Sequence, residues 1–230
     1  MTHTLHRFGN LENLSDDYVV FAMSAKGINE KGSAEALKNF MRLAFAMSPV
    51  NAGDMKTGNT LTHSEETILD GIQDVSIVHA VFTKEEEVIE LLSKVKQADL
   101  GVSVVVSGLI DRVQAMGQES GCKQHTVECS AGVWGRTEKL PDAGVMQITT
   151  MCGHGMVAAS LVEHYAGLVQ RKRITPEQAG LEIARPCVCG VFNPIRAARL
   201  IEAAAAAKKK TTVQAGQTLA PQASTAAHHE

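Results

Sequence analysis

The chain has 230 residues, of which 44% are hydrophobic, and a formal net charge of −3. This is enough for a real core, in one generous domain or in two small α/β lobes, and the scattered basic residues argue against nucleic acid as a partner. No apolar run reaches the roughly 20 residues that cross a bilayer, and the first ten residues lack the apolar core of a signal peptide. We therefore expect a cytoplasmic protein that does not associate with a membrane.

The first half of the chain alternates strands with helices. Apolar, β-branched runs that end at turn formers predict strands at 18–23, 75–82 and 102–106. An amphipathic helix follows each strand: Ser33 caps the first, Thr83 opens the second with a capping box, and the third covers roughly 109–118. This alternation favours an α/β fold, a layered sheet with flanking helices that is either partly parallel or ferredoxin-like.

The second half is expected to be mainly helical. Two further strands, 125–129 and 145–150, precede a helix that runs to about Gln170. A capping box at Thr175 opens the next helix, Pro186 ends it, and Pro194 starts a last helix that runs to about Lys208. We therefore predict an α/β lobe at 1–120, a Cys/His-bearing lobe at 121–210 and a disordered tail at 211–230.

Five cysteines, an odd number in a chain expected to be cytosolic, favour metal ligation or thiolate chemistry over a disulfide framework. The sequence Cys152-Gly-His-Gly155 falls at a predicted junction of strand and helix, where free amide groups and the helix dipole favour a thiolate. The two glycines allow close approach of a ligand and let His154 lie beside the thiol. Cys152 and His154 are thus the candidate catalytic pair, against the alternative of a buried cysteine in a tight turn.

Cys187-Val-Cys189-Gly190 is the second cysteine motif, a pair that can deliver both sulfurs to one metal or to a cluster. The short connection between the helices before it predicts an antiparallel pair, which returns Cys187 to the neighbourhood of Cys152. Cys129 is a candidate fourth ligand or a core residue, and Cys122 resembles an ordinary turn residue.

The turn Met151-Cys-Gly-His-Gly155 resembles the thiol-bearing turn of the proline racemase and hydroxyproline epimerase family. The resemblance covers five residues, and the family's second cysteine motif is matched only loosely, by Pro186-Cys187. It implies a cysteine that acts as acid or base at a substrate carbon.

A long polar segment at 51–63 is typical of a binding loop or of a solvated connection. Its residues Asp54, Lys56, Thr57 and Asn59 are the candidate groups for binding a small anionic molecule, and we expect the loop to face the same cleft as Cys152.

Three functions are compatible with these motifs. The first is a lyase of the dehydratase type with a [4Fe–4S] cluster on Cys152, Cys187 and Cys189, the fourth iron being left for substrate or Cys129. The second is a metal-free enzyme in which Cys152 is the acid, base or nucleophile. The third is a structural or interaction module with zinc on Cys152, His154, Cys187 and Cys189, although spacings of one residue are tighter than is usual for zinc. A homo-oligomer is compatible with all three.

Overall fold

A computed structural model describes residues 4–217, with side chains as far as residue 206. The described residues form one five-stranded antiparallel sheet in the order β3-β2-β4-β1-β5, with helices beside it. The strands are β1 (Tyr18–Met23), β2 (Asn51–Asp54), β3 (Gly58–Asn59), β4 (Ile77–Phe82) and β5 (Ser103–Ser107). The helices are α1 (Leu11–Leu14), α2 (Ser33–Phe45), α3 (Glu65–Gly71), α4 (Glu85–Ala98), α5 (Ile110–Glu119), α6 (Ala143–Thr149), α7 (Ala159–Gln170), α8 (Pro176–Ala184) and α9 (Pro194–Gln217).

The α/β class, the flanking helices and the helical C-terminal part are confirmed. The four strand pairings are all antiparallel, so the partly parallel alternative does not describe this sheet. In addition, the predicted polar loop at 51–63 contains the hairpin β2–β3. Its buried residues Asn51, Asp54 and Asn59 make it part of the sheet edge rather than a solvated connection.

Helices α2 and α4 cover one face of the sheet. Their predicted apolar stripes are buried against strand residues such as Val20 and Ala80, which confirms both helices. Their predicted caps are wrong. Gly32 is the N-cap of α2, and the carboxylate of Asp74 accepts hydrogen bonds from the amides of Gly32 and Ala34, at 2.9 Å each. Lys84 precedes α4 without a side-chain cap.

The C-terminal helices cover the opposite face. Because successive side chains of a strand point to opposite faces, Val19, Phe21 and Val81 pack against this second layer, which includes Ile183 and Phe192. The capping box at Thr175 is confirmed, as is the end of α8 just before Pro186, with Arg185 as its C-cap. Both layers share the sheet, and the division into lobes at residue 120 stays a prediction.

Two predicted strands are wrong. Residues 125–129 have no regular structure, and residues 145–150 fall mostly in helix α6. Val145 and Ile148 are three residues apart, a helical spacing that places both against the second layer. Helix α9 also continues to Gln217, beyond the predicted end near Lys208 and into the predicted tail, whose residues 218–230 lie outside the described residues. Within the described part of the chain, no helix is both long and apolar enough to span a membrane.

Candidate thiol and imidazole site

Cys152 lies in a tight turn between two helices. Helix α6 ends at Thr149 and α7 begins only at Ala159, so the predicted position at the junction of a strand and a helix start is wrong. The amide of Gly155 donates to the carbonyl of Cys152 at 3.0 Å and closes the turn. The amides of His154 and Met156 in this turn, rather than the dipole of α7, act on the thiol.

Cys187 and Cys189 lie in the loop that follows α8. The amide of Gly190 donates to the carbonyl of Cys187 at 2.9 Å, and Gly190 has a φ of 82°, which favours glycine. This bend points the exposed side chain of Val188 to solvent and the two thiols inward. Their sulfur atoms are 3.7 Å apart.

The turn and the loop meet at their sulfur atoms. Cys152 and Cys189 both act on Cys187, and together with burial they raise the pKa of its thiol. The imidazole Nδ1 of the exposed His154 lies 3.6 Å from the Cys189 sulfur. All three cysteines are buried, with relative exposures of 3%, 1% and 5% in chain order. Two segments of the chain, the turn at Cys152 and the loop at Cys187, therefore contribute to one cluster of thiols and an imidazole.

The three thiols do not hold their protons equally. Hydrogen bonding from Cys187 lowers the pKa of Cys152 to about 5, against the effect of burial, and the backbone amides of Met156 and His154 add to this. The pKa of Cys189 is lowered to about 6, again chiefly by Cys187. The pKa of Cys187 is raised because both neighbours accept its proton and because it is buried. These directions favour the thiol form at Cys187 and the thiolate form at Cys152 and Cys189.

A small cleft of about 230 Å³ opens beside Cys152. Gly153, Gly155 and Val157 of the turn line it, together with Thr149, Thr150 and the N-terminal His6. The amide of Phe8 donates to Thr150 Oγ1 at 2.9 Å, which fixes the N-terminal segment at this place. The cleft can hold a small molecule next to one thiol, and neither Cys187 nor Cys189 lines it.

The hairpin β2–β3 contributes only one of its four predicted binding residues to this region. Asn59 Nδ2 donates to the carbonyl oxygen of Val188 at 2.9 Å and to that of Cys187 at 3.4 Å. Asp54 is instead one residue out of phase with the strand residues facing the thiols, and its carboxylate accepts from the amide and hydroxyl of Thr57. Lys56 is exposed in the same turn.

The structure does not bring Cys129 to the cluster. Cys129 is exposed in the irregular segment after α5 and lines a wide groove beside β5. Cys122 is half-buried, and its thiol donates to the carbonyl of Leu92 at 3.8 Å, in the layer on the other side of the sheet. Neither cysteine belongs to the site.

A buried ionic network lies behind the loop of Cys187 and Cys189. Asp17 pairs with both Arg7 and Arg196, and Arg7 also donates to the carbonyl of Val191, two residues after Cys189. Asn193 Nδ2 donates to Asp17 Oδ1 at 3.1 Å. The sequence analysis did not predict this cluster, because Arg7 and Arg196 are far apart along the chain and each resembles a surface residue. Two buried guanidinium groups on one carboxylate leave one positive charge in excess.

As the side chains lie, no group of three or more His, Cys, Asp or Glu residues in the described part of the chain is arranged to hold a metal ion. No family model matches the sequence, and no curated protein or solved structure matches it either.

Proposed function

We propose that Cys152, His154, Cys187 and Cys189 bind one thiophilic metal ion of the zinc class. The observation that supports this is the spacing of the donor atoms. A tetrahedral ion with bonds of about 2.3 Å to sulfur and about 2.1 Å to nitrogen separates two sulfur ligands by about 3.8 Å and a sulfur from a nitrogen by about 3.6 Å. The Cys187–Cys189 and Cys189–His154 separations are 3.7 and 3.6 Å.

Adjustment of a few side chains is needed before all four donors point at one centre. The turn and the loop contain glycines, among them Gly155 and Gly190, whose backbones both have positive φ. Binding replaces the shared Cys187 proton with the ion, since metal ligands must be deprotonated. A site with four protein ligands is closed, so the ion ties the turn at Cys152 to the loop after α8 and stabilises the second helical layer.

An iron–sulfur cluster is a weaker fit to the same residues. Sulfurs that bind different irons of a cluster diverge from one another, whereas Cys187 and Cys189 approach within 3.7 Å. The cleft lies beside Cys152 and neither of the other two cysteines, so an iron–sulfur cluster needs space that buried side chains now fill.

The charge around the site is compatible with the single ion. The positive charge in excess around Asp17 complements the net negative charge of three thiolates on one divalent ion.

The cleft favours a second candidate function, an enzyme that acts on a small anionic molecule. In this case the Cys152 thiolate is the acid, base or nucleophile, and His6, Gly153 and Gly155 line the cleft that holds the substrate. A lyase of the dehydratase type requires the cluster, and an epimerase-like reaction requires only the thiols. The strand order, with β4 between β1 and β2, supports the ferredoxin-like arrangement for the sheet that carries either function.

Metal analysis after anaerobic purification tests these proposals. One zinc per chain without visible absorption supports the single ion, whereas iron and sulfide with broad visible absorption support the cluster. Cys152→Ala and Cys187→Ala should each abolish bound metal, and Cys122→Ala is the matched control that should retain it. A protein with neither metal nor sulfide, in which Cys152→Ala alone abolishes reaction with a small substrate, supports the metal-free enzyme.

A further inference from the structure

The loop of Cys187 and Cys189 rests on polar residues of the sheet. Asn59 is 2% exposed, and its amide nitrogen donates to two consecutive carbonyl groups of the loop, those of Cys187 and Val188. Its Oδ1 accepts from the amide of Leu61 at 3.0 Å, which fixes the orientation of the amide group. Asn59 therefore holds the peptide units that join the two cysteines.

The strand register supplies a matching surface beneath the loop. Asn59 pairs with Gly53, which pairs with His79, so these three residues form a row on one face of the sheet. Gly190 packs closely here: a methyl group on it would overlap Asn59 and would lie 3.2 Å from His79 Nε2. The loop approaches the sheet this closely because Gly190 has no side chain.

From these contacts we infer that Asn59 is a positioning residue of the thiol site: its amide sets the backbone of residues 187–189 and thereby the separation and direction of the Cys187 and Cys189 sulfurs. The consequence for metal affinity rests on the proposed function. The consequence for thiol accessibility does not, because it follows from the loop conformation alone. Outer groups that orient ligands commonly contribute about 10- to 100-fold to metal affinity.

Asn59→Asp is the sharpest test, since aspartate keeps the oxygen that accepts from Leu61 and replaces only the donor with an oxygen that repels the loop carbonyls. Asn51→Asp is the matched control. Asn51 is 1% exposed, accepts from Thr60 Oγ1 at 3.0 Å and donates to the carbonyl of Phe192 at 3.4 Å, beyond the peptide units that join the two cysteines. Each substitution adds one buried carboxylate to the same hairpin.

Each protein, after removal of any metal, is titrated with cobalt(II), whose absorption reports thiolate ligation. We expect Asn59→Asp to weaken cobalt binding by about 10- to 100-fold and to change the spectrum, and Asn51→Asp to do neither. In metal-free protein, a disulfide reagent should modify Cys187 and Cys189 faster in Asn59→Asp than in Asn51→Asp, with the exposed Cys129 as internal reference.

The outcomes separate the inference from the function. A wild-type protein that binds no cobalt defeats the metal proposal, and the reagent rates then still test the role of Asn59. Equal reagent rates in the two variants, or equal losses of cobalt affinity, overturn the inference. Should an aspartate prevent folding, Asn59→Ala and Asn51→Ala are compared in the same way.

Discussion

Asp17 and Asp16 are adjacent acidic residues that pair with arginines of the same helix, α9, in different surroundings. Asp17 is fully buried at its side chain and accepts from Arg196 Nη1 at 3.0 Å, in addition to its pair with Arg7. Asp16 pairs with Arg199 at the surface, where the two side chains are 44% and 57% exposed. The same substitution at both positions therefore compares a buried network with a solvated one.

Asp17→Asn should destabilise the protein strongly, because it leaves two buried guanidinium groups facing each other without a countercharge. Breaking a buried pair in this way costs about 3–5 kcal/mol. At about 2–4 °C per kcal/mol for a chain of this size, the melting temperature should fall by about 6–20 °C. Asp16→Asn should cost at most about 1 kcal/mol, because water screens an exposed pair.

Thermal and denaturant unfolding of the two variants measure the difference. Adding Arg7→Met to Asp17→Asn should recover part of the lost stability, because it removes one of the two unpaired charges. The effects of substitutions at contacting residues on the free energy of unfolding are not additive. If Asp17→Asn and Asp16→Asn differ by less than about 1 kcal/mol, the buried network does not have the energy assigned to it here.

Three further predictions concern the turn, the loop and helix α8. Gly190→Ala should lower the melting temperature more than Gly155→Ala, because both have positive φ but only Gly190 lacks space for a methyl group; similar losses would contradict this packing. Thr175→Ala should cost about 1 kcal/mol in denaturant unfolding through loss of the capping box, and no cost would argue against the box. In metal-free protein the alkylation rate of Cys152 should rise through pH about 5, because its pKa is lowered from 9.0 to about 5. An alkylation rate that rises only near pH 9.0 would contradict the thiolate. The same lowered pKa stabilises the fold increasingly as the pH rises from about 5 toward 9.0, and this stabilisation is lost as the pH falls back through about 5.

The sequence predicted best those elements whose signals are local. The apolar strand at Tyr18 and the stripes of α2 and α4 follow from patterns within a few residues, and all three are found. The segment from 145 to 150 was ambiguous, since a short apolar run suits either a strand or one side of a short helix. Packing against the second layer decides in favour of α6, and no local pattern contains that information.

That Cys152 and Cys187 belong to one cluster could be predicted from the sequence, because two helices with a short connection bring the chain back. The contacts that orient the site could not be predicted. Asn59 and Val188 are 129 residues apart, and Arg7 and Val191 are 184 apart, so only the strand register and the course of the N-terminal segment bring them together. Three of the four predicted binding residues failed to reach the site because strand alternation and the hairpin turn direct them elsewhere.

The polar residues behind the cysteines argue that this part of the second layer is more than core. A buried polar group costs free energy unless it is hydrogen-bonded, so an apolar residue at Asn59 or His79 would be the simpler solution for a packing surface. The sheet instead places the amide of Asn59 and the imidazole of His79 directly against the loop. Thiols that were merely buried would need no such support, whereas sulfurs that must hold a fixed separation depend on it. These buried polar contacts beneath the loop are therefore the strongest argument for a working role of the Cys187–Cys189 thiols.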